Sequence, residues 1–162
     1  SGEIFHGLGN ASAGLVYAGG TLNVNTTAVG NVGVGTDDLI TYALPANSLV
    51  TTARGIRITA YGTTANNANA KTVTLDFGGQ TIMTQALTVS IAGTWRISAT
   101  VFRTGLSTQD VFAELLQLAT IIHAHTLTAG TQTETGAITI RCTGAATADN
   151  DIIQEGLIVE AL

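Results

Sequence analysis

The sequence predicts an all-β protein: an antiparallel β-sandwich, most simply an eight-stranded jelly roll, carrying an extended N-terminal arm. Three observations carry this. Short segments alternate apolar and polar side chains, the period of two that marks a half-buried strand. Clusters of Gly, Asn, Asp and Ser punctuate these segments at short intervals. The chain is 45% hydrophobic yet only 10% charged, against about a quarter charged in an average soluble domain. Hydroxyls and amides, mostly Thr and Asn, therefore replace charges on the polar side of the alternation.

Residues 1–35 are read as the arm. The stretch from Gly14 to Gly35 is punctuated by Gly and holds no charge; Gly at that density weakens regular elements. One short strand is expected near Leu22 to Val24, and the apolar positions Leu15, Val16, Tyr17, Leu22 and Val24 are expected to lie against a neighbouring subunit. Residues 36–162 are read as the sandwich. Leu39 to Leu44 is a strand that ends at Pro45, the only proline, in a turn with Asn47 and Ser48. Arg54 to Tyr61 alternates, with Ile56, Ile58 and Ala60 inward. An Asn-rich loop follows from Gly62 to Asn69.

Lys71 to Phe77 places Val73, Leu75 and Phe77 in the core and Thr72, Thr74 and Asp76 in water. Gly78-Gly79 signals a two-residue hairpin, and the return strand runs from Gln80 to Leu87. Thr94 to Arg103 sets Trp95, Ile97, Ala99 and Val101 inward, against Arg96, Ser98, Thr100 and Phe102. Gly105-Leu106-Ser107 turns the chain. Val111 to Thr128 has helix formers in its first half, but every neighbour is a strand and no cap residue opens a helix, so one long strand is expected. Gly136 to Gly144 puts Ile138, Ile140 and Cys142 on one face. Asp149-Asn150-Asp151 is a turn, and the last strand runs from Ile152 to Leu162. These signals make about eight strands.

The 162 residues fit one domain. A net charge of −5, with the six basic residues spread along the chain, excludes a phosphate backbone as partner. No apolar run is long enough to span a membrane as a helix. The single cysteine, Cys142, excludes an intrachain disulfide, and its place in an alternating strand makes it a buried small hydrophobe. Ser1-Gly2 stands where an initiator would, and the only methionine is Met83. This start reads as a processed or excised chain, or as a residue pair left by cloning.

Several segments resemble a domain found at the C-terminal ends of structural proteins of tailed bacteriophages. They are Thr21 to Thr27 with Gly30 to Gly33, Asp37 to Asn47, Gly93 to Arg96, Val101 to Gly105, Gly136 to Gly144 and Asp149 to Gln154. The resemblance implies a trimeric β-sandwich head on a fibre, spike or capsid decoration. The expected function is that of a non-enzymatic virion structural protein at the particle surface, capsid or tail. Its partners would be further copies of itself, other virion proteins and a host surface glycan. The runner-up is a secreted carbohydrate-binding module, against which speaks an aromatic fraction of only 5% that patterns mostly inward.

Candidate chemistry is sparse. His123-Ala124-His125 puts two imidazoles on one face of a strand, where three chains around an axis could offer six nitrogens to a metal; the competing reading is two ordinary histidines at a strand end. No other cofactor is expected. Asp37-Asp38 and Asp149-Asn150-Asp151 are oxygen-rich, as a Ca²⁺ site requires, but Asp and Asn also favour turns for local reasons. Glu155 and Glu160 fall on opposite faces of the last strand. Asp76, Asp110 and Glu114 would have to converge to act as paired carboxylates, and nothing in their spacing brings them together. Nucleophile-elbow, phosphate-loop and metal-hydrolase motifs are absent, so no catalytic residue is assigned. Amides, hydroxyls and one aromatic in Tyr61, Thr63, Thr64, Asn66, Asn67 and Asn69 suit sugar contacts and make this segment the candidate recognition loop. Trp95, the sole tryptophan, is expected in the core.

Overall fold

The computed structural model describes residues 20–49, 54–118 and 122–162. Among them are eleven strands: β1 (Gly20–Asn25), β2 (Val29–Gly30), β3 (Gly35–Leu44), β4 (Gly55–Thr64), β5 (Lys71–Phe77), β6 (Gln80–Leu87), β7 (Gly93–Gly105), β8 (Thr108–Gln117), β9 (Ile122–Gly130), β10 (Ile138–Ala146) and β11 (Ile152–Ala161). They form two antiparallel sheets. The larger runs β1-β11-β4-β7-β8-β9, with β2 also on β11, and the smaller runs β3-β10-β5-β6.

Without β2 and the β8–β9 hairpin, eight strands remain. Counted in chain order, they run 1-8-3-6 in one sheet and 2-7-4-5 in the other. This is the double Greek key of a jelly roll, so the fold expectation holds. The surplus over eight strands is the short β2 and the hairpin. The one long strand expected over Val111 to Thr128 is not formed: a strand of that length would extend about 60 Å, roughly twice its neighbours. The chain instead reverses between Gln117 and Ile122, which face each other in register, where no Gly, Pro, Asn or Asp marks a turn.

The inward faces follow the alternation. Ile56, Ile58, Ala60, Trp95, Ile97, Ala99 and Val101 of the larger sheet meet Val73, Leu75, Phe77, Ile138, Ile140 and Cys142 of the smaller, all buried. Each large side chain contributes about 1.5–3 kcal/mol by leaving water. Gly78 and Gly79 both have positive φ, 63° and 82°, the type I′ geometry that the two-residue hairpin requires. One open side of the sandwich is laced between sheets by the Thr126 hydroxyl donating to the Ile82 carbonyl at 2.7 Å and by Gln80 donating to the Ala129 carbonyl at 2.8 Å.

The strand expected near Leu22 to Val24 is β1. It pairs with β11 of its own chain, and Leu22 packs on the core. The described part of the stretch read as an arm is thus an edge of the sandwich. Leu15, Val16 and Tyr17 lie outside the described residues.

Candidate functional site

The candidate recognition segment divides in two. Tyr61, Thr63 and Thr64 belong to β4 rather than to a loop, because their pairing with Arg96, Thr94 and Gly93 of β7 extends the strand. Asn66, Asn67 and Asn69 form the connection to β5. Asn66 is exposed. Asn67 and Asn69 are internal struts: their amide groups donate to the Asp151 carboxylate at 2.5 and 2.9 Å. On the other side of these residues lies the buried Lys71 ammonium, which donates to the Asn67 side-chain oxygen at 2.6 Å and to the Asn67 and Asn69 backbone carbonyls at 3.2 and 3.0 Å. The Asn67 amide thus relays a buried cation to a buried anion, and Asn69 links the same two groups through its side chain and its backbone. Burial alone would raise the Asp151 pKa and is the largest single effect. Hydrogen bonds from Asn67, Asn69 and the Ala148 and Thr147 backbone together outweigh it and hold the pKa below the ordinary carboxylate value.

The other acidic residues are similarly engaged. Asp37 accepts from the Val32 backbone at 2.9 Å and Asp149 from the Gly33 backbone at 2.5 Å, so both pin the loop around Asn31. Asp38 lies 3.4 Å from Arg141. Among the described residues no group of three or more His, Cys, Asp and Glu is placed to hold a metal ion. Asp76, expected in water, is buried. The neighbouring strand β6 bulges beside it, with Ile82 the extra residue between Thr81 and Met83. The Thr81 hydroxyl donates to Asp76 at 2.8 Å, and Arg141, its cross-strand partner on β10, closes over it at 2.8 Å. The hydrogen bond to Asp76, then the charges of Asp38 and Asp76, raise the Arg141 pKa. Asp76 sits in the smaller sheet and Asp110 and Glu114 in the larger, so the structure does not gather them as a pair of acids. Burial, and secondarily the Asp76 charge, raise the Cys142 thiol pKa.

His123 and His125 fall on β9, the outer strand of the larger sheet, opposite Leu116 and Glu114 in register. His125 is exposed.

What the structure assembles is a surface on the outer face of the larger sheet. A cleft of about 210 Å³ is lined by Tyr61, Trp95, Arg96, Leu116, Leu118 and Glu155. A second depression, sharing Thr94 and Leu118, continues it past Thr63. The Tyr61 ring lies against Gly156, where an added methyl group would run into it. Glu155 accepts from the Thr63 hydroxyl at 3.2 Å. It is the extra residue of a bulge between Gln154 and Gly156. That bulge sets Glu155 beside Thr63, on the same outer face where Glu160 lies 3.6 Å from Arg57, instead of on the opposite face. Trp95 is in the core as expected, its indole N–H donating to the Thr63 carbonyl at 3.2 Å.

At the other end of this face, Phe102 and Phe112 are 42% and 47% exposed and Leu127 is 79% exposed, so the aromatics do not all pattern inward. Phe102 lies against Gly55 as Tyr61 does against Gly156. Alternation placed Phe102 outward. What it did not give is the juxtaposition of these side chains, which depends on the β8–β9 hairpin and the β11 bulge.

No protein-family model matches the chain, and no curated protein does. Among solved structures it is similar to the CBM2 module of the evolved Dit of Lactobacillus casei BL23 phage J-1. The two share 9% identity over 88% of this chain and 95% of that one, with a TM-score of 0.44.

Proposed function

We propose that this protein is a non-enzymatic structural component of a bacteriophage particle: a surface-exposed, homotrimeric β-sandwich that serves as a capsid decoration protein or as the head of a tail fibre or spike. The observation that carries this reading is the contrast between its two outer faces. The smaller sheet presents hydroxyls and no large exposed apolar side chain among the described residues, with Thr74 and Thr84 hydrogen-bonded to each other at 2.9 Å. The larger sheet presents Phe102, Phe112, Leu127 and Val24. One face suits water and the other suits a partner. The sequence segments resembling phage structural proteins support the virion context.

Light scattering on the purified chain tests the assembly. Three times 16.5 kDa is expected, and a monomer at every concentration would refute the homotrimer. Immunogold labelling of particles with antibody to the chain tests the location, with label expected on the capsid or tail surface and its absence from both refuting the virion role.

A carbohydrate-binding module is the second reading, favoured by the cleft that Tyr61 lines together with Arg96 and Glu155. An aromatic face with flanking hydrogen-bonding groups suits a sugar ring. Depletion from solution by insoluble polysaccharides tests it. Loss of that binding in Tyr61→Ala is expected, and binding to none of a panel of glycans would reject it.

A further inference from the structure

We propose that copies of this chain meet through the outer face of the larger sheet, with Arg96 of one copy set against Asp110 of the next. This rests on the reading of the protein as a homo-oligomer and names the surface that would make it one. Charges are scarce in this chain, 10% of residues, and most of those on this face are engaged. Arg57 pairs with Glu160, and Glu155 accepts from Thr63. Arg96 and Asp110 are the exceptions. Both are exposed, and the side chain of neither has a hydrogen bond or ion pair with another described residue.

They stand at opposite ends of the face. Arg96 is opposite Leu116, whereas Asp110 is opposite Phe102. The six-residue step from Arg96 to Phe102 along β7 covers about 20 Å, so the two charges cannot meet within one chain. Between them lie Phe112, Leu116 and Leu127, with Glu114 and His125 paired across the strands among them and already engaged. A head-to-tail contact, in which the Arg96 end of one face reaches the Asp110 end of the next, satisfies both charges. It also turns the apolar centres toward a common axis, and contacts of this type close into a ring where the rotation between copies divides a full turn. Next to Asp110 the exposed Phe102 ring offers the arriving guanidinium a second favourable surface. The face thus carries both halves of a complementary pair, which a second copy of the same chain matches without any other partner.

The test is sedimentation velocity over a concentration series on the full chain and on Arg96→Asp, Asp110→Arg, the double charge swap and Phe112→Glu. Each single charge reversal is expected to weaken association about tenfold or more, and the swap to restore it to within about threefold of the parent. Rescue can only be intermolecular, given the separation inside one chain. Phe112→Glu is expected to give monomer. The Trp95 melting curve monitors folding, and unchanged melting is expected because neither charge has a partner in its own chain. An oligomer untouched by these variants would overturn the contact alone, as would single reversals whose effects add without rescue. A parent chain that stays monomeric would overturn the contact and the homo-oligomer together. Loss of polysaccharide binding in Arg96→Asp with no change in mass would assign the face to a sugar instead.

Discussion

Asp151→Ala should be among the most damaging single polar substitutions, although Asp151 lies in a turn. Its carboxylate accepts from Asn67 and Asn69 and from the Ala148 backbone at 3.0 Å, and it is buried. Removing it strands these three half-buried donors. A buried donor left without an acceptor costs about 1–3 kcal/mol. The three belong to one network, so their costs do not simply add, and a total of about 3 kcal/mol is expected. For a domain of this size that lowers the Tm by about 6–12 °C, read from the fluorescence of Trp95. Asp151→Asn keeps an oxygen acceptor and should lose about half as much.

A pH signature accompanies the loss. The folded pKa of Asp151 lies below its ordinary value, so the unfolded chain takes up the proton first as pH falls. The stabilisation is complete above the unfolded carboxyl value of about 3.9 and disappears as pH drops through the folded value. The parent should therefore lose stability below about pH 4 in excess of Asp151→Ala. A stability loss under about 1 kcal/mol, or an acid slope identical in the two proteins, would refute this account of the cluster.

Further outcomes are expected. Trp95→Ala should cost about 3–5 kcal/mol in urea unfolding, because it empties a buried site and removes the donor to Thr63. Cys142 should not react with an aromatic disulfide reagent until the protein unfolds, and Cys142→Ser should cost about 1–3 kcal/mol by burying an unpaired hydroxyl. Gly156→Ala should displace the Tyr61 ring and weaken any saccharide binding in the cleft while leaving the far-UV circular dichroism spectrum unchanged. EDTA should leave the mass in light scattering unchanged if copies meet through Arg96 and Asp110; a fall in mass would instead place a metal shared by His123 and His125 of neighbouring copies.

Alternation was a sufficient guide wherever a strand has one wet face and one dry face. Lys71 to Phe77 and Gln80 to Leu87 match β5 and β6 to the residue, and Gly78-Gly79 gave their turn. It fails where the backbone departs from strict period two, or where neighbouring strands cover an outward position. The bulge at Glu155 returns that side chain to the outer face, while Asp76 keeps its outward place and is buried there by the Arg141 and Thr81 side chains that close over it. Neither outcome has a local signal, because the first is set by the register of β4 and the second by Arg141 of β10, both distant in sequence. Likewise Asn67 and Asn69 look like solvent-facing loop amides until Asp151, more than eighty residues away, is brought beside them.

Strand count and strand order had different sources. Turn residues supply the count, and they fail between Gln117 and Ile122, where none is present. The order comes from which edges each apolar stripe can cover, and only the folded chain shows that β1 lies on β11 at one edge and β9 closes the other. The inserted β8–β9 hairpin then has a consequence beyond its own pairing. It widens the larger sheet past the four strands that a jelly roll requires, and the smaller sheet does not widen with it. The two sheets can cover each other only where they overlap, and the apolar stripe on the inner side of β8 is still buried through β6. On the outer side the same two strands add Phe112, Leu116 and Leu127 to a face that already carries Phe102 on β7 and Val24 on β1 among Thr59, Ser98 and Thr100. The inserted element therefore enlarges the apolar part of that face, while its inner side chains Val111, Ala113 and Leu115 join the core of the sandwich.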